Sequence, residues 1–173
     1  MATTYVAQPY AAVWDPDSAN LTLVQNGKIT IDLEWEYIEV KDNDHGTMPV
    51  DMISNGVKVC KVTVPVTDHA FATLSALLPL ATYTSGGNGR IEVRPALGTS
   101  LLGKAKELVL KRFESGSASS DPADWITFPK AAPTGKFTVS YGAEQSTYNV
   151  EFIGFPDTSN NNRPLYFGDE AAS

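Results

Sequence analysis

The chain has 173 residues and a formal net charge of −7, from 20 acidic and 13 basic side chains. It therefore lacks the cationic excess that a protein needs in order to wrap nucleic acid. Its length suits a single domain, residues 1–173, and Cys60 as the only cysteine excludes an intrachain disulfide and a cysteine-based zinc cluster within these residues.

The first twenty residues are rich in alanine and small polar residues and contain two prolines. We interpret residues 1–20 as an irregular N-terminal arm anchored by Trp14 and Tyr10. No basic region followed by an apolar run is present, and no segment approaches the roughly 20 apolar residues of a membrane helix. We therefore expect no secretory signal and no membrane association, and a protein kept in a reducing cytoplasm.

The stretch LTLVQNGKITIDLEWEYIEV predicts a β-hairpin that turns at Asn26-Gly27, since both positions tolerate a positive φ. In its second strand the carboxylates alternate with apolar residues. Side chains two positions apart share a strand face at about 7 Å, where two like charges repel by only about 0.6 kcal/mol in water. We therefore expect the carboxylate face to be wet and the other face to be core; the carboxylates are Asp32, Glu34 and Glu36, and the apolar residues are Ile31, Leu33, Trp35 and Tyr37.

Residues 41–54 contain Asp, Asn, Gly and Pro and predict a long loop or a projecting hairpin. The β-branched residues of 56–66 predict a strand, with Pro65 at an edge or a bulge. Thr67 or Asp68 is then a candidate cap for a helix over residues 67–79. The predicted core face of that helix consists of Phe71, Leu74, Leu77 and Leu78.

Further strands are predicted near Arg90–Arg94 and Lys106–Phe113, with a short helix over residues 100–110 as the alternative to the second. Residues 124–157 predict three strands, with turns at residues 133–135 and 142–145. An Asn-rich tail follows from residue 158 to 173. Seven or eight short strands and one helix indicate a mainly β fold, a two-sheet antiparallel sandwich or barrel with one flanking α-helix.

Candidate catalytic groups are sparse. Cys60 with His45 or His69 is the only candidate nucleophile–base pair, but a mid-strand cysteine among valines is typically buried and inert. The loop DNDHG lacks the downstream Glu of a calcium-binding EF-hand, so an ordinary turn is the default reading. Three carboxylates on one strand face do not resemble an acid/base pair with opposed environments. We expect no enzyme activity, no cofactor and no metal.

The order of these features resembles phage tail tube proteins of the long, non-contractile tail type. The resemblance rests on NGKITIDLEWEYIEVKDNDHGTMPVDMISNG, on VKVCKVTVPVTD leading directly into HAFATLSALLP, and on the closing YNVEFIGFPDTSNNNRPLYFGDE. The resemblance covers roughly residues 20–170. It consists of the order of the elements and the general character of their sequences, without an invariant catalytic motif.

This resemblance implies a structural virion protein whose hexameric rings stack into a hollow tube for DNA passage. The strands 29–40 and 56–66 would contribute to the inner sheet, so that Asp32, Glu34 and Glu36 face a negatively charged lumen. The implied inter-ring stacking loop contains Lys41, Asp42, Asn43, Asp44, His45, Gly46, Thr47, Met48 and Pro49. Implied partners are further copies of the chain, the tape measure and terminator proteins of the tail, and DNA bound only transiently and without sequence preference. The protein would be assembled in the host cytoplasm and reside in the virion tail.

Other interpretations stay open. The carboxylate face is also compatible with an ordinary solvated outer surface, and the loop with an ordinary surface loop. The same fold would suit a tail terminator or a secretion-system tube ring. A carbohydrate-binding β-sandwich would use aromatics for stacking; among the tryptophans, Trp35 is expected in the core and Trp125 is ambiguous.

Overall fold

The computed structural model describes residues 10–15, 21–23, 27–114, 116–139, 142, 144 and 146–171, with the backbone alone described for 21–23. One α-helix, α1, spans Phe71–Leu77, and two short 3₁₀ turns span Leu102–Lys104 and Pro122–Asp124. The strands are β1 (Tyr10–Trp14), β2 (Leu21–Leu23), β3 (Thr30–Val40), β4 (Asp51–Val66), β5 (Ala81–Thr84), β6 (Arg90–Val93), β7 (Lys106–Glu114), β8 (Ser117–Ala118), β9 (Trp125–Val139), β10 (Tyr148–Gly154) and β11 (Tyr166–Phe167). The mainly β expectation is thus confirmed. Among the described residues, no helix has the length and apolar character that crossing a membrane requires.

The main sheet is antiparallel throughout, in the order β2-β1-β7-β9-β10-β4-β3, with β11 paired to β9 and β8 to β7. β5 and β6 form a separate two-stranded hairpin. The ring of Trp14 on β1 packs edge-on against Phe152 on β10, with centroids 5.7 Å apart, although two strands lie between them in the sheet. The sheet is therefore curled around one core. Hydrogen bonding joins the described strands into one main sheet and a small hairpin, and the two-sheet sandwich or barrel expected from the sequence stays a prediction.

The core lies on the concave face of the curled sheet. Alternate residues of β4 and β10 are inward, and the largest fully buried side chains on β10 are Tyr148 and Phe152. The other buried residues of this cluster come from β1, β4, β7, β9 and α1: Ala12, Trp14, Cys60, Val62, Val64, Val66, Leu77, Leu108, Leu110, Phe128, Ala131 and Val150. This period-two burial is what fixes the register of the central strands.

The N-terminal segment departs from its expected structure. Residues 10–14 form β1, in which Ala12 is fully buried and Trp14 is 8% exposed. β2 pairs with β1, as Trp14 opposite Leu21, and not with β3, which lies at the opposite end of the sheet order. The prediction of an irregular N-terminal segment is therefore wrong for residues 10–14. The prediction of a hairpin that turns at Asn26-Gly27 is also wrong, because β2 pairs with β1. Residues 1–9, 16–20 and 24–26 lie outside the described residues.

β9 runs as one strand where the sequence predicts a turn at residues 133–135. Its first half pairs with β7 and its second half with β10, and the register shifts between Val150 and Phe152. Gly135 has a φ of 78°, so the turn residues form a bulge in the strand, with Thr134 bonded to Glu151 through its hydroxyl. A bulge bends a strand without ending it, which explains why two strands, β9 and β10, replace the predicted three. The predicted strands near 90–94 and 106–113 are confirmed as β6 and β7.

The C-terminal tail from residue 158 docks on the body. Asp157 forms a β-bridge with Arg163, and β11 pairs with Thr127 and Ile126 of β9. The carboxylate of Asp157 lies 2.8 Å from Lys130 Nζ and accepts from the Ser159 hydroxyl, and these bonds, the lysine first, lower its pKa to about 2. The tail is therefore tied to the sheet through both charge and backbone pairing.

Helix α1 packs on the core and beside the β5–β6 hairpin, but its inward face differs from the predicted one. Thr73 and Leu77, one turn apart, are buried, and Leu74 is partly buried against the core. Leu78 follows the helix as its C-terminal cap residue and is partly buried. Phe71 is 48% exposed, so its predicted core position is wrong. Phe71 lies in the first turn of the helix, beside the β5–β6 hairpin. A Cβ atom added at Gly89 would lie 3.6 Å from its ring.

The side chain of Asp68 holds the start of α1. The N-cap residue is Ala70, which makes no side-chain hydrogen bond, and Asp68 lies two residues before it. Its carboxylate accepts from the Thr73 hydroxyl at 2.6 Å and from the Ala70 backbone N–H at 2.9 Å. These two hydrogen bonds, that of Thr73 first, lower the pKa of Asp68 below its usual value. The backbone carbonyl of the same residue accepts from the Tyr148 hydroxyl, so Asp68 also ties the helix to β10.

Replacing Asp68 by alanine is expected to lower the free energy of unfolding by about 1 kcal/mol at neutral pH, a loss comparable to that of a helix cap, because the Ala70 N–H and the Thr73 hydroxyl lose their acceptor. Because the folded-state pKa is depressed, this contribution is present above the unfolded pKa near 3.8 and is lost as pH falls through the folded value. Urea unfolding at pH 6 and at pH 2.5 measures it. The difference between wild type and variant should shrink at the lower pH; a difference that stays constant would contradict the role of the charged carboxylate.

Candidate assembly surface

The paired strands β3 and β4 extend well beyond the body as an arm, which we define as residues 34–58. Every residue of the arm is exposed except Val40, which is partly buried. The core ends just before it, where Leu33 lies opposite Cys60. The strand β4 begins at Asp51, five residues before the predicted strand start, so the connecting loop is shorter than expected. The projecting hairpin allowed by the sequence is the structure observed.

The arm carries large apolar side chains on both faces. On the face continuous with the core, Trp35 lies opposite Val57 and the two are 47% and 42% exposed. On the other face Ile38 lies opposite Ile53, at 56% and 55%. The further exposed apolar residues of the arm are Tyr37, Met48, Val50 and Met52. The expectation that Trp35 belongs to the core is wrong, because the alternation continues past the point where the core ends.

Such an apolar surface indicates contact with another molecule. Contiguous apolar patches on monomeric proteins are usually small, and larger ones mark interaction sites. Isolated two-stranded hairpins are also marginal in water, since neither face is covered. The two register shifts in the arm, between Glu34 and Trp35 and between Glu36 and Tyr37, add local twist and do not cover either face.

Both edges of the arm are open in the described part of the chain. β3 pairs there only with β4. On its other side β4 pairs with β10 only from Lys61 to Val66, so residues 51–60 have one unpaired edge. Long unpaired edges are templates for strand addition, which native monomers usually blunt. The arm therefore offers backbone hydrogen-bonding groups together with apolar side chains.

The carboxylates Asp32, Glu34 and Glu36 are exposed on the strand face opposite Leu33. Cations lie beside them: Lys61 is opposite Asp32, and Lys58 Nζ is 3.2 Å from Glu34 Oε1. Glu36 accepts a hydrogen bond of 2.7 Å from the side-chain amide of Asn55. Lys61 also forms an ion pair of 3.4 Å with Glu151 on β10. The face is therefore mixed in charge, with an acidic excess less pronounced than the sequence alternation suggests.

The loop at the tip of the arm, residues 41–50, is exposed throughout. It is organised by Asp42, whose Oδ1 accepts from the backbone N–H groups of Asp44 and His45 and lies 2.7 Å from His45 Nδ1. The bond with the His45 side chain is the main cause of the lowered pKa of Asp42. Asp42 thus closes an ordinary turn, and the described residues contain no group of three or more candidate metal ligands.

The candidate catalytic residues are not brought together. Cys60 is buried in the core, where burial raises the pKa of its thiol to about 11, so it is not a ready nucleophile. His45 is at the tip of the arm, and His69 bonds the Ser146 carbonyl at 3.1 Å and packs against Tyr148. Trp125 donates its indole N–H to Ser119, and Lys111 lies 4.2 Å above its ring centre. Trp125 therefore already has a cation on its ring.

The fold is similar to that of a solved assembly component. A chain in the cryo-EM structure titled as the anti-feeding prophage baseplate, 6-fold symmetrised, superimposes with a TM-score of 0.50 at 9% identity. The match covers 88% of this chain and 92% of the other, so it includes nearly the whole of both folds. No protein-family model and no curated protein sequence matches the chain.

Proposed function

We propose that this chain is a non-enzymatic structural subunit of a phage tail, six copies of which form a ring. The rings stack into a tail tube, a hollow conduit through which DNA passes into the host. The observation that supports this most strongly is the arm, with apolar residues on both faces and open backbone edges. A subunit built to be covered on several sides by other copies accounts for these features together.

The fold likeness supports the same class of protein. The matched chain belongs to a structure titled as a prophage baseplate, 6-fold symmetrised. At 9% identity this carries the fold alone, so the ring, the tube and their partners rest on the arm and on the resemblance in element order. A tail terminator or a secretion-system tube ring is the second candidate, and the same arm would serve it.

In this proposal the face of Asp32, Glu34 and Glu36 lines the bore. A surface with an acidic excess repels phosphates, so DNA slides without binding, whereas rings of lysine would retain it through counterion release. Lys58 and Lys61 reduce that excess without reversing it. The tape measure and terminator proteins of the tail are the expected partners beside the subunit itself, and the expected location is the virion, with assembly in the host cytoplasm.

Charge reversal tests the bore. Tubes of the Glu34→Lys, Glu36→Lys variant are expected to retain a short DNA duplex at least tenfold more tightly at low salt than wild-type tubes, with steep salt dependence. Co-sedimentation of labelled duplex with assembled tubes measures this. The matched control is Glu144→Lys with Asp169→Lys, an equal charge change at exposed positions outside the arm. Equal retention by both variants would remove the role of this face.

Electron microscopy of the purified protein at high concentration tests the proposal as a whole. Tubes or six-fold rings are the expected result. Dispersed monomers that bind sugars on a glycan array would instead support the carbohydrate-binding alternative. For that alternative, Trp14 is buried and the ring of Trp125 is occupied by Lys111, which leaves Trp35 of the arm as its exposed tryptophan.

A further inference from the structure

A groove on the side of the body is lined by the end of α1, by β1 and by the 3₁₀ turn before β7. Its volume is about 470 Å³. Ala76, Leu78 and Pro79 supply an apolar wall from the end of α1, and the lining also includes Trp14, Gly103 and Lys104. It is separate from the arm, none of whose residues line it.

Trp14 borders this groove, and its indole nitrogen is enclosed. Its side chain is 8% exposed, and its indole Nε1 has no hydrogen-bond acceptor among the described residues. A buried donor without a partner costs about 1–3 kcal/mol. Because that nitrogen is itself enclosed, Trp14 offers the groove apolar surface and no accessible donor.

The rim of the groove is cationic. Lys104 and Lys106 line it, and both are exposed. Asp15 is its one carboxylate and lies 3.7 Å from Lys106 Nζ, which leaves one positive charge in excess. The groove therefore suits a ligand that combines an apolar side chain and a negative charge.

The tip of the arm has that composition. Met48 is 73% exposed and Val50 is 46% exposed, and both belong to the loop that Asp42 closes. Residues 39–51 contain four acidic side chains and one lysine or arginine. The acidic residues are Glu39, Asp42, Asp44 and Asp51, and the basic residue is Lys41. The carboxylate of Asp42 is used inside the loop, which leaves Asp44 as the exposed acid beside the apolar residues.

We propose that the tip of the arm of one copy docks into this groove of a second copy, with Met48 against the apolar wall and Asp44 against Lys104. The contact joins two different surfaces of the same chain, so it is head-to-tail and propagates from copy to copy. The inference rests on the proposed self-assembly and adds the receptor surface for the stacking loop. Both surfaces are complementary in charge and are present in every copy.

Site-directed cross-linking tests this contact. In a Cys60→Ala background, chains carrying Thr47→Cys are mixed with chains carrying Gly103→Cys, assembled, and treated with a short bismaleimide. The control partner is Gly86→Cys, since added side chains at Gly103 and Gly86 both meet open space. We expect covalent dimers with Gly103→Cys at a yield at least tenfold above that with Gly86→Cys.

The outcomes separate the two proposals. Tubes that form without cross-linking at position 103, or with equal cross-linking at 86, overturn the docking contact and leave the tube function standing. Absence of any assembly overturns both. As a second measurement without cysteines, Lys104→Glu is expected to raise the concentration needed for assembly about tenfold, and Asp44→Lys in the same chain to restore it. Failure of that restoration with both variants folded would also overturn the contact.

Discussion

The double substitution Trp35→Ser, Tyr37→Ser is expected to abolish assembly at concentrations where the wild type forms tubes, while leaving the subunit folded. Both side chains are about half exposed on the core-continuous face of the arm, so they contribute little to the isolated fold. Burial of an aromatic side chain against another copy contributes about 2 kcal/mol. Loss of two such contacts raises the assembly concentration by at least a hundredfold, which sedimentation velocity measures.

The control for this experiment is the pair Val93→Ser, Leu97→Ser. These side chains are 74% and 96% exposed and lie in and after β6, away from the arm. They test whether any loss of exposed apolar area prevents assembly. Thermal unfolding of each variant, within a few degrees of wild type, establishes that the subunits are folded. Assembly of the arm variant at the wild-type concentration would contradict the role given to the arm.

Replacing Phe152 by alanine is expected to lower the free energy of unfolding by about 3–5 kcal/mol, a large share of the total for a domain of this size. Phe152 is fully buried on β10, in the middle of the sheet order, and its ring contacts Trp14 from β1. Its removal leaves a cavity at the contact that closes the curled sheet. Chemical denaturation measures the loss as a lower midpoint with the same slope.

Phe167→Ala is the matched control, because Phe167 is 66% exposed on β11. It removes the same atoms from the surface and is expected to change the free energy of unfolding by about 0.5 kcal/mol or less. Similar losses for the two variants would mean that the contact between Trp14 and Phe152 does not close a shared core.

Local patterning predicted several elements well. The alternation in β3 places Asp32, Glu34 and Glu36 together on one face, and the strands near 90–94 and 106–113 are found where β composition indicates them. These succeed because side-chain direction in a strand has a period of two whatever the strand pairs with. Leu77, at helical spacing from its neighbours, is likewise buried.

The misses concern choices that depend on distant parts of the chain. Asn26-Gly27 is a strong hairpin signal, but β2 pairs with β1, a choice set by tertiary contacts and not by the local turn. Gly135 accommodates a bulge where the sequence suggests a turn, because β10 continues to pair on both sides of it. Proline and glycine indicate that a strand departs from regular geometry. Whether the departure is a turn or a bulge depends on how the partner strand pairs.

The exposure of the arm, which forms the candidate site, could likewise not be predicted from local patterning. The pattern of Trp35 and Tyr37 defines a face, but whether anything covers that face depends on where the core ends. The core ends at Leu33 and Cys60, which only the fold reveals. Likewise, the groove beside Trp14 combines residues 14, 76 and 104 from three separate segments, and no short motif signals it.

A cryo-EM reconstruction of the protein at assembling concentration tests the central claim most directly, since it shows whether the arm is covered by other copies. We expect a six-fold ring stacked into a tube, with Trp35 and Tyr37 buried between copies and Glu34 facing the bore. A solitary subunit, or a filament in which residues 34–58 remain exposed on the outside, would contradict the account.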